Sequence, residues 1–267
     1  MDSLIPIVLE MYGESLRSVA ASLPRIVGAF IMLPLLTNDV IPSLVRNCLY
    51  VSLSVVVVPL SLAQSSLDFE SGFWPLLMIK EVFVGLSIGL VFGGVFWALT
   101  IAGGIIDSQT GANMASLVDP IQGHQSSLTS VWLSRLASVL FMVSGAFLVF
   151  LDVLLSSYRL WPVNQFFPQL SPLGIEFFAG QFGFMMTQAV LVSAPVLICL
   201  FLIDFGMGVI NRFAQNMNVM AIATPIKSLC ATLVLLLMLG MIVESVLRQV
   251  GESGHLLSQL NHLFGGG

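Results

Sequence analysis

The residues able to do chemistry in this chain begin with its carboxylates. Asp152, Asp204 and Glu244 stand in or beside strongly apolar runs, where an ionised group is costly and marks either an ion path or a protein contact. Asp152 and Asp204 would suit a proton-sharing dyad, but no matching motif surrounds either, and structural pairing is the plainer reading. His124, His255 and His262 lack metal-ligand spacing, and the last two fall about two helical turns apart, as on a solvated face. Cys48, Cys199 and Cys230 lie far apart within apolar segments and read as small buried hydrophobes, which leaves the redox compartment undetermined. There is no GxxxxGK[ST] phosphate loop, no HExxH and no GxSxG. The chain therefore cannot hydrolyse nucleotide itself, an enzyme reading has almost nothing to stand on, and no cofactor is expected.

A different chemistry is concentrated in residues 107–127, DSQTGANMASLVDPIQGHQSS. Side-chain amides and hydroxyls dominate, with Asp107 and Asp119 and no lysine or arginine. Such groups hydrogen-bond a peptide backbone without reading its sequence. Lipid does not tolerate an irregular polar backbone, so the stretch must line protein or water. Asp119 precedes Pro120, a turn-favouring pair, and both aspartates read as helix-end or turn residues before they read as charges of a gate.

The elements that must position this stretch are membrane helices. The chain has 267 residues, 57% hydrophobic and 9% charged, with a mean hydropathy of +1.00, too little polar surface to clothe a water-soluble globule. A formal charge of −5 without a basic cluster excludes a nucleic-acid partner. The acidic start MDSLIPIVLEMYGE lacks the basic flank and small-residue cleavage site of a secretory signal, so it is expected to be retained. Helices of about 20 apolar residues are needed to span a bilayer, and six candidates follow.

Residues 16–37 contain Pro24, Arg25 and Pro34 and should be kinked or broken; residues 47–62 form the second segment. Residues 82–106 carry no charge and begin beside Lys80 and Glu81. Gly85, Gly89 and Gly93 recur there every four residues, one helix face on which a neighbouring backbone can approach closely. That face is a general packing surface before it is a transport path. The fourth segment, 131–155, includes Arg135 and Asp152. A Pro- and aromatic-rich connector with Tyr158, Trp161, Phe166 and Phe167 suits the membrane–water boundary. Segments 184–203 and 225–246 complete the set.

If all six crossed once, Arg17, Lys80, Arg159 and Arg248 would face one side and Arg46, Arg135, Arg212 and Lys227 the other. That tie gives no orientation by the positive-inside rule. An unpaired ion at the bilayer centre costs ~2.5–3.5 kcal/mol even on the mildest scale, so Arg25, Asp152 and Asp204 imply protein contacts. The tail, with Leu256, Leu257, Leu260, Leu263 and Phe264 on one stripe, is either an amphipathic docking helix or a disordered end.

Four motifs in order, KEVFVGLSIG, IDSQTGANMASLVDP, SSYRLWP and NRFAQNMNVMAIATPIKS, resemble the T subunit of the bacterial type III secretion export apparatus, a family related to the flagellar export protein FliR. The resemblance covers about residues 46–244. It implies an all-α membrane protein of about six long, partly broken helices arranged as hairpins, packed in a hetero-oligomeric helical pore assembly. Residues 1–182 would resemble the R subunit, 183–247 would form a hairpin like the S subunit, and 248–267 would be the tail.

Implied partners are the R, S, U and V subunits, needle or inner-rod subunits, membrane lipid and secreted unfolded polypeptides in transit. The implied location is the bacterial inner membrane, multi-pass, raised towards the periplasmic side. Lys80, Glu81, Gly85, Gly89 and Gly93 would serve helix packing and assembly. Asn211, Arg212, Pro225 and Lys227 would lie at the turn of the last hairpin, and residues 107–127 would plug the closed pore. Gln215 stands where many members carry proline, and the PIKS form at 225–228 leans towards an injectisome over a flagellar system.

A plug must seal at rest and yield to an arriving chain, which suits many weak contacts with glycines as hinges. Gly111 and Gly123 bracket it, Met114 has a flexible side chain that can fill a constriction, and Gln109, Asn113 and Gln122 can hydrogen-bond a passing backbone. Ordinary helix packing is the competing reading for Met114. The competing function is an ion-coupled small-solute permease, for which broken helices with internal carboxylates would also be typical.

Overall fold

A computed structural model describes residues 4–36, 41–62, 74–111, 127–163, 173–213 and 219–253. Among them every regular element is an α-helix, as the long apolar runs predict: α1 (Leu4–Met32), α2 (Ser43–Leu62), α3 (Trp74–Thr110), α4 (Leu128–Val143), α5 (Ala146–Leu160), α6 (Leu173–Phe213) and α7 (Val219–Ser253). Among the described residues three stretches are long and apolar enough to cross a membrane: α3, Phe178–Phe213 of α6 and Ala221–Gln249 of α7. The pair α4 and α5 adds a fourth if it counts as one broken span.

Four elements differ from the sequence expectation. The fourth apolar segment is two helices, because Gly145 takes φ +79°, a left-handed conformation that no helix interior accommodates. The first segment continues through Pro24. A proline there costs about 3 kcal/mol, offset by burial of the residues after it, Arg25, Ile26 and Ala29, each 0% exposed. The last helix starts at Val219, so Pro225 and Lys227 lie inside α7, while Asn211 and Arg212 occupy the final turn of α6. Tyr158 and Trp161, expected at a water boundary, are buried instead, because cations claim their rings and polar groups.

The chain divides into two compact units, Met1–Gly93 with Gly145–Phe178 and Glu252–Gly267, and Gly94–Ser144 with Ala179–Gly251. In the first unit α1 and α2 run antiparallel: the Ser22 and Ser54 hydroxyls lie 2.5 Å apart and the Phe30 and Tyr50 rings 5.4 Å apart. Helix α5 lays Phe150 edge-on against Phe30 and Phe92, at 5.2 and 5.4 Å. The first half of α3 packs on α1 through glycine. A Cβ on Gly28 would come 2.8 Å from the Val82 carbonyl oxygen, and one on Gly85 would come 2.9 Å from the Arg25 carbonyl carbon. Gly89 meets Ala29 and Met32 in the same way. The expected close approach is therefore to a helix of the same chain.

The second unit is built of two hairpins. Phe96 and Phe141 face across α3 and α4 at 5.3 Å, and the Gly103 face abuts the Ser130 backbone, which makes these helices antiparallel. Ser245 and Gln188 join α7 to α6 at 3.2 Å. Ala98 of α3 packs on Met185 and Ala189 of α6. Both hairpin tips point the same way, since Lys227 near the start of α7 reaches the Gln109 carbonyl at the end of α3.

Candidate functional site

The polar stretch singled out in the sequence begins inside α3. Its first residue, Asp107, is 4% exposed and is the hub of the site. The Oδ1 atom accepts the Thr129 hydroxyl, and Oδ2 accepts the Ser127 hydroxyl together with the Thr129 backbone N–H at 2.8 Å. Three donors thus converge on one buried carboxylate. Hydrogen bonds to a charged acceptor are worth roughly twice neutral ones, and these tie the end of α3 to the start of α4.

The local sequence explains why α4 begins there. Ser127 is its N-cap, the hydroxyl accepting from the Ser130 N–H at 3.3 Å. Ser130 in turn donates to the Thr100 carbonyl at 2.6 Å. Gly103 allows this, because any Cβ there would overlap the Ser130 backbone. Residues 112–126, which separate the two sides of this base in the sequence, lie outside the described residues.

A second set of contacts lies against the outgoing strand of the base. Gly111 has φ +80°, a conformation that lets the chain turn sharply off the helix, and its Cβ position faces Thr224 of α7 at 3.8 Å. Lys227 forms an ion pair with Asp204 of α6 and donates to the Gln109 carbonyl at 3.4 Å. This contact is long and exposed, in contrast to the buried Asp107 hub.

Of the expected plug residues, Gln109 and Gly111 stand at the base, while Asn113, Met114, Gln122 and Gly123 lie outside the described residues. Gly85 and Gly89 face α1, and Gly93 is buried. Sequence reasoning missed Thr129 and Thr224. The signal for Thr129 was its place in an S-L-T-S capping sequence directly after the polar stretch.

Lys80 and Glu81 occupy a separate centre within the first unit. Glu81 and Arg25 are both 0% exposed and bidentately paired, Nε to Oε2 at 2.7 Å and Nη2 to Oε1 at 2.9 Å. The guanidinium also donates to the Ser157 hydroxyl at 3.1 Å and the Trp161 carbonyl at 2.9 Å, and lies 4.2 Å from the centre of the Tyr158 ring. Tyr158 is fixed by donating to the Ser22 carbonyl at 2.7 Å. The Lys80 ammonium contacts Glu81 at 2.7 Å and the Pro162 and Val163 carbonyls at 3.2 and 2.9 Å. Two cations share one carboxylate, and the carbonyls that follow α5 take up the excess positive charge. The pattern fixes α1, α3 and the end of α5 to one another. Among the described residues no group of histidine, cysteine and carboxylate side chains could hold a metal ion.

Comparison with known proteins accords with this helical picture. Residues 16–253 match the family described as bacterial export proteins, family 1. The Yop proteins translocation protein T of Yersinia pestis is 38% identical over 231 residues, covering 86% of this chain and 88% of that protein. The surface presentation of antigens protein SpaR of Salmonella typhimurium is 31% identical over 233 residues, with 86% of each chain covered. The flagellar biosynthetic protein FliR of Bacillus subtilis is 31% identical over 228 residues, covering 85% of this chain and 87% of that protein. The chain belongs to family 1 of the bacterial export proteins, and it is a membrane-integral protein.

Proposed function

We propose that this bacterial export protein is the T-type subunit of a type III secretion apparatus in the inner membrane, and that residues 107–127 seal its polypeptide-conducting pore at rest. One observation supports the sealing role above others. A polar, glycine-bounded segment leaves two apolar helices through a base closed on itself by Asp107, Ser127 and Thr129. Such a segment can be displaced without disturbing the helices that carry it.

The partners in this reading are the R, S, U and V subunits, needle or inner-rod subunits, and unfolded polypeptides in transit. Exposed apolar side chains on the last hairpin, including Phe201, Phe205, Leu237 and Met241, suit contact with other hydrophobic subunits or lipid. An injectisome is favoured over a flagellar system, in keeping with 38% identity to the Yersinia protein against 31% to the Bacillus flagellar one. The assembled protein sits towards the periplasmic side. Membership of an export family leaves the small-solute permease reading without support.

The test is removal of part of residues 111–122 from the chain in cells expressing the whole apparatus. The subunits should still co-purify while the membrane gains resting ion conductance. Loss of co-purification with conductance at background would make the segment architectural and place the seal elsewhere.

A further inference from the structure

Among the described residues, the half of the last hairpin nearest its turn is uncovered. From Phe201 to Phe213 of α6 and from Ala221 to Leu229 of α7 no residue is buried. Phe201, Phe205 and Leu229 are 69%, 68% and 73% exposed. One carboxylate stands among these apolar side chains: Asp204, 45% exposed. Its Oδ1 is paired with the Lys227 ammonium, itself 15% exposed, which also donates to the Gln109 carbonyl. Its Oδ2 has no partner among the described residues.

We infer that this half of the hairpin is covered by an apolar helix of another subunit, and that the helix brings a neutral hydrogen-bond donor, a hydroxyl or a side-chain amide, to Oδ2 of Asp204. This rests on the T-subunit reading above, which supplies hydrophobic partners, and adds what one of them must carry. Any apolar cover takes water away from Asp204, and a carboxylate out of water is costly unless its lone pairs find donors. Lipid tails have none to give, so a bilayer alone would leave Oδ2 bare. The hairpin does not supply one either. One turn before and after Asp204 on α6 stand Leu200, Phe201, Met207 and Gly208, none with a side-chain donor.

The donor is neutral because Asp204 and Lys227 already cancel. A cation from the partner would place an excess positive charge under an apolar cover, whereas a hydroxyl or amide adds a bond and no charge. Asp204 thereby selects among hydrophobic helices: one without a donor covers the same side chains but strands an oxygen. Alone in detergent the chain keeps water on Oδ2, so the selection is felt only in the assembly.

The test uses the full chain in the expressed apparatus and reads the yield of hydrophobic subunits that co-purify with it. Two double variants share Lys227→Met, so that neither leaves a charge behind. Asp204→Leu with Lys227→Met removes the acceptor, strands the partner's donor and should lower co-purification about tenfold. Asp204→Asn with Lys227→Met keeps an acceptor oxygen in place and should stay within about threefold of the unaltered chain. Undiminished co-purification of the Leu variant would overturn the inference, because apolar contact would then suffice. An equal fall in both variants would overturn it too, since the partner would then be reading charge.

A second arm does not depend on how well those variants fold. A photo-reactive residue in place of Phe205, next to Asp204 and well exposed, captures whatever lies on this half of the hairpin. Mass spectrometry should find an apolar helical stretch of a co-purifying subunit, with Ser, Thr, Asn or Gln within one turn of the crosslinked residue. Crosslinks to lipid alone, or to a stretch without such a residue, count against the inference whatever the first arm gives. If no hydrophobic subunit co-purifies even with the unaltered chain, the T-subunit reading itself falls, and the inference with it.

Discussion

The Arg25–Glu81–Lys80 centre and the Asp107 base both bury a carboxylate among donors, yet the two are built to opposite ends. In the first, the carboxylate serves two cations from two helices, and the carbonyls after α5 complete the shell. Removing any part strands a charge in the interior of a helix bundle. In the second, the donors are hydroxyls and one backbone N–H, all from a single short stretch beyond the loop. Its loss unties the end of α3 from the start of α4. The difference lies in what is joined: the ion pairs bind α1, α3 and the end of α5 together, whereas the neutral donors fasten α3 to the helix that follows it in the second unit.

The largest test of this contrast is Glu81→Ala, which leaves Arg25 and Lys80 without their anion. Breaking a buried pair from one side costs about 3–5 kcal/mol, and the chain should be lost from the membrane fraction or unfold at markedly lower temperature in detergent. Unchanged membrane recovery and unfolding temperature would erase the distinction between the centres.

Next in size is Gly85→Leu, whose side chain must enter the Arg25 backbone and so pry α3 from the ion centre. Overpacking costs typically 1–3 kcal/mol and more where backbone is struck. Gly183 has nothing within 4 Å of its Cβ position, so Gly183→Ala should stabilise α6 by up to about 1 kcal/mol. Thermal unfolding of the two variants in the same detergent checks both signs at once.

The smallest effect is expected at the partly exposed Asp204–Lys227 pair, with Asp204 45% exposed. Asp204→Asn should change the unfolding free energy of the detergent-solubilised chain by no more than about 1 kcal/mol. A larger loss would move this pair to the side of the rigid centre.

Much of this was legible in the residues. The uncharged, glycine-spaced run after Glu81 required a close-packed helix, and α3 is one. Glycine spacing even contained the ion centre implicitly. When Gly85 and Gly89 dock on Arg25, Ala29 and Met32, one turn earlier on α3 brings Glu81 to Arg25. What hid the pairing was that Gly28 and Ala29 stand alone on α1, without a repeat to announce a matching face. The break at Gly145 was hidden for a related reason: a glycine within an apolar run is common in membrane helices, and only its φ of +79° shows the helix ending there. Tyr158 and Trp161 read as boundary aromatics because composition ignores cations delivered from fifty or more residues away.

By itself the sequence determined class and outline, since apolar runs have few ways to satisfy their backbones other than as helices. It also marked residues 107–127 as a polar, irregular stretch for which lipid is an unfavourable surrounding. Only the tertiary structure decided which charges meet. Arg25 with Glu81, Lys227 with Asp204, and Asp107 with Thr129 are pairings across helices. Their partners are chosen by the packing of glycine faces and hairpin register, which no local pattern of residues specifies.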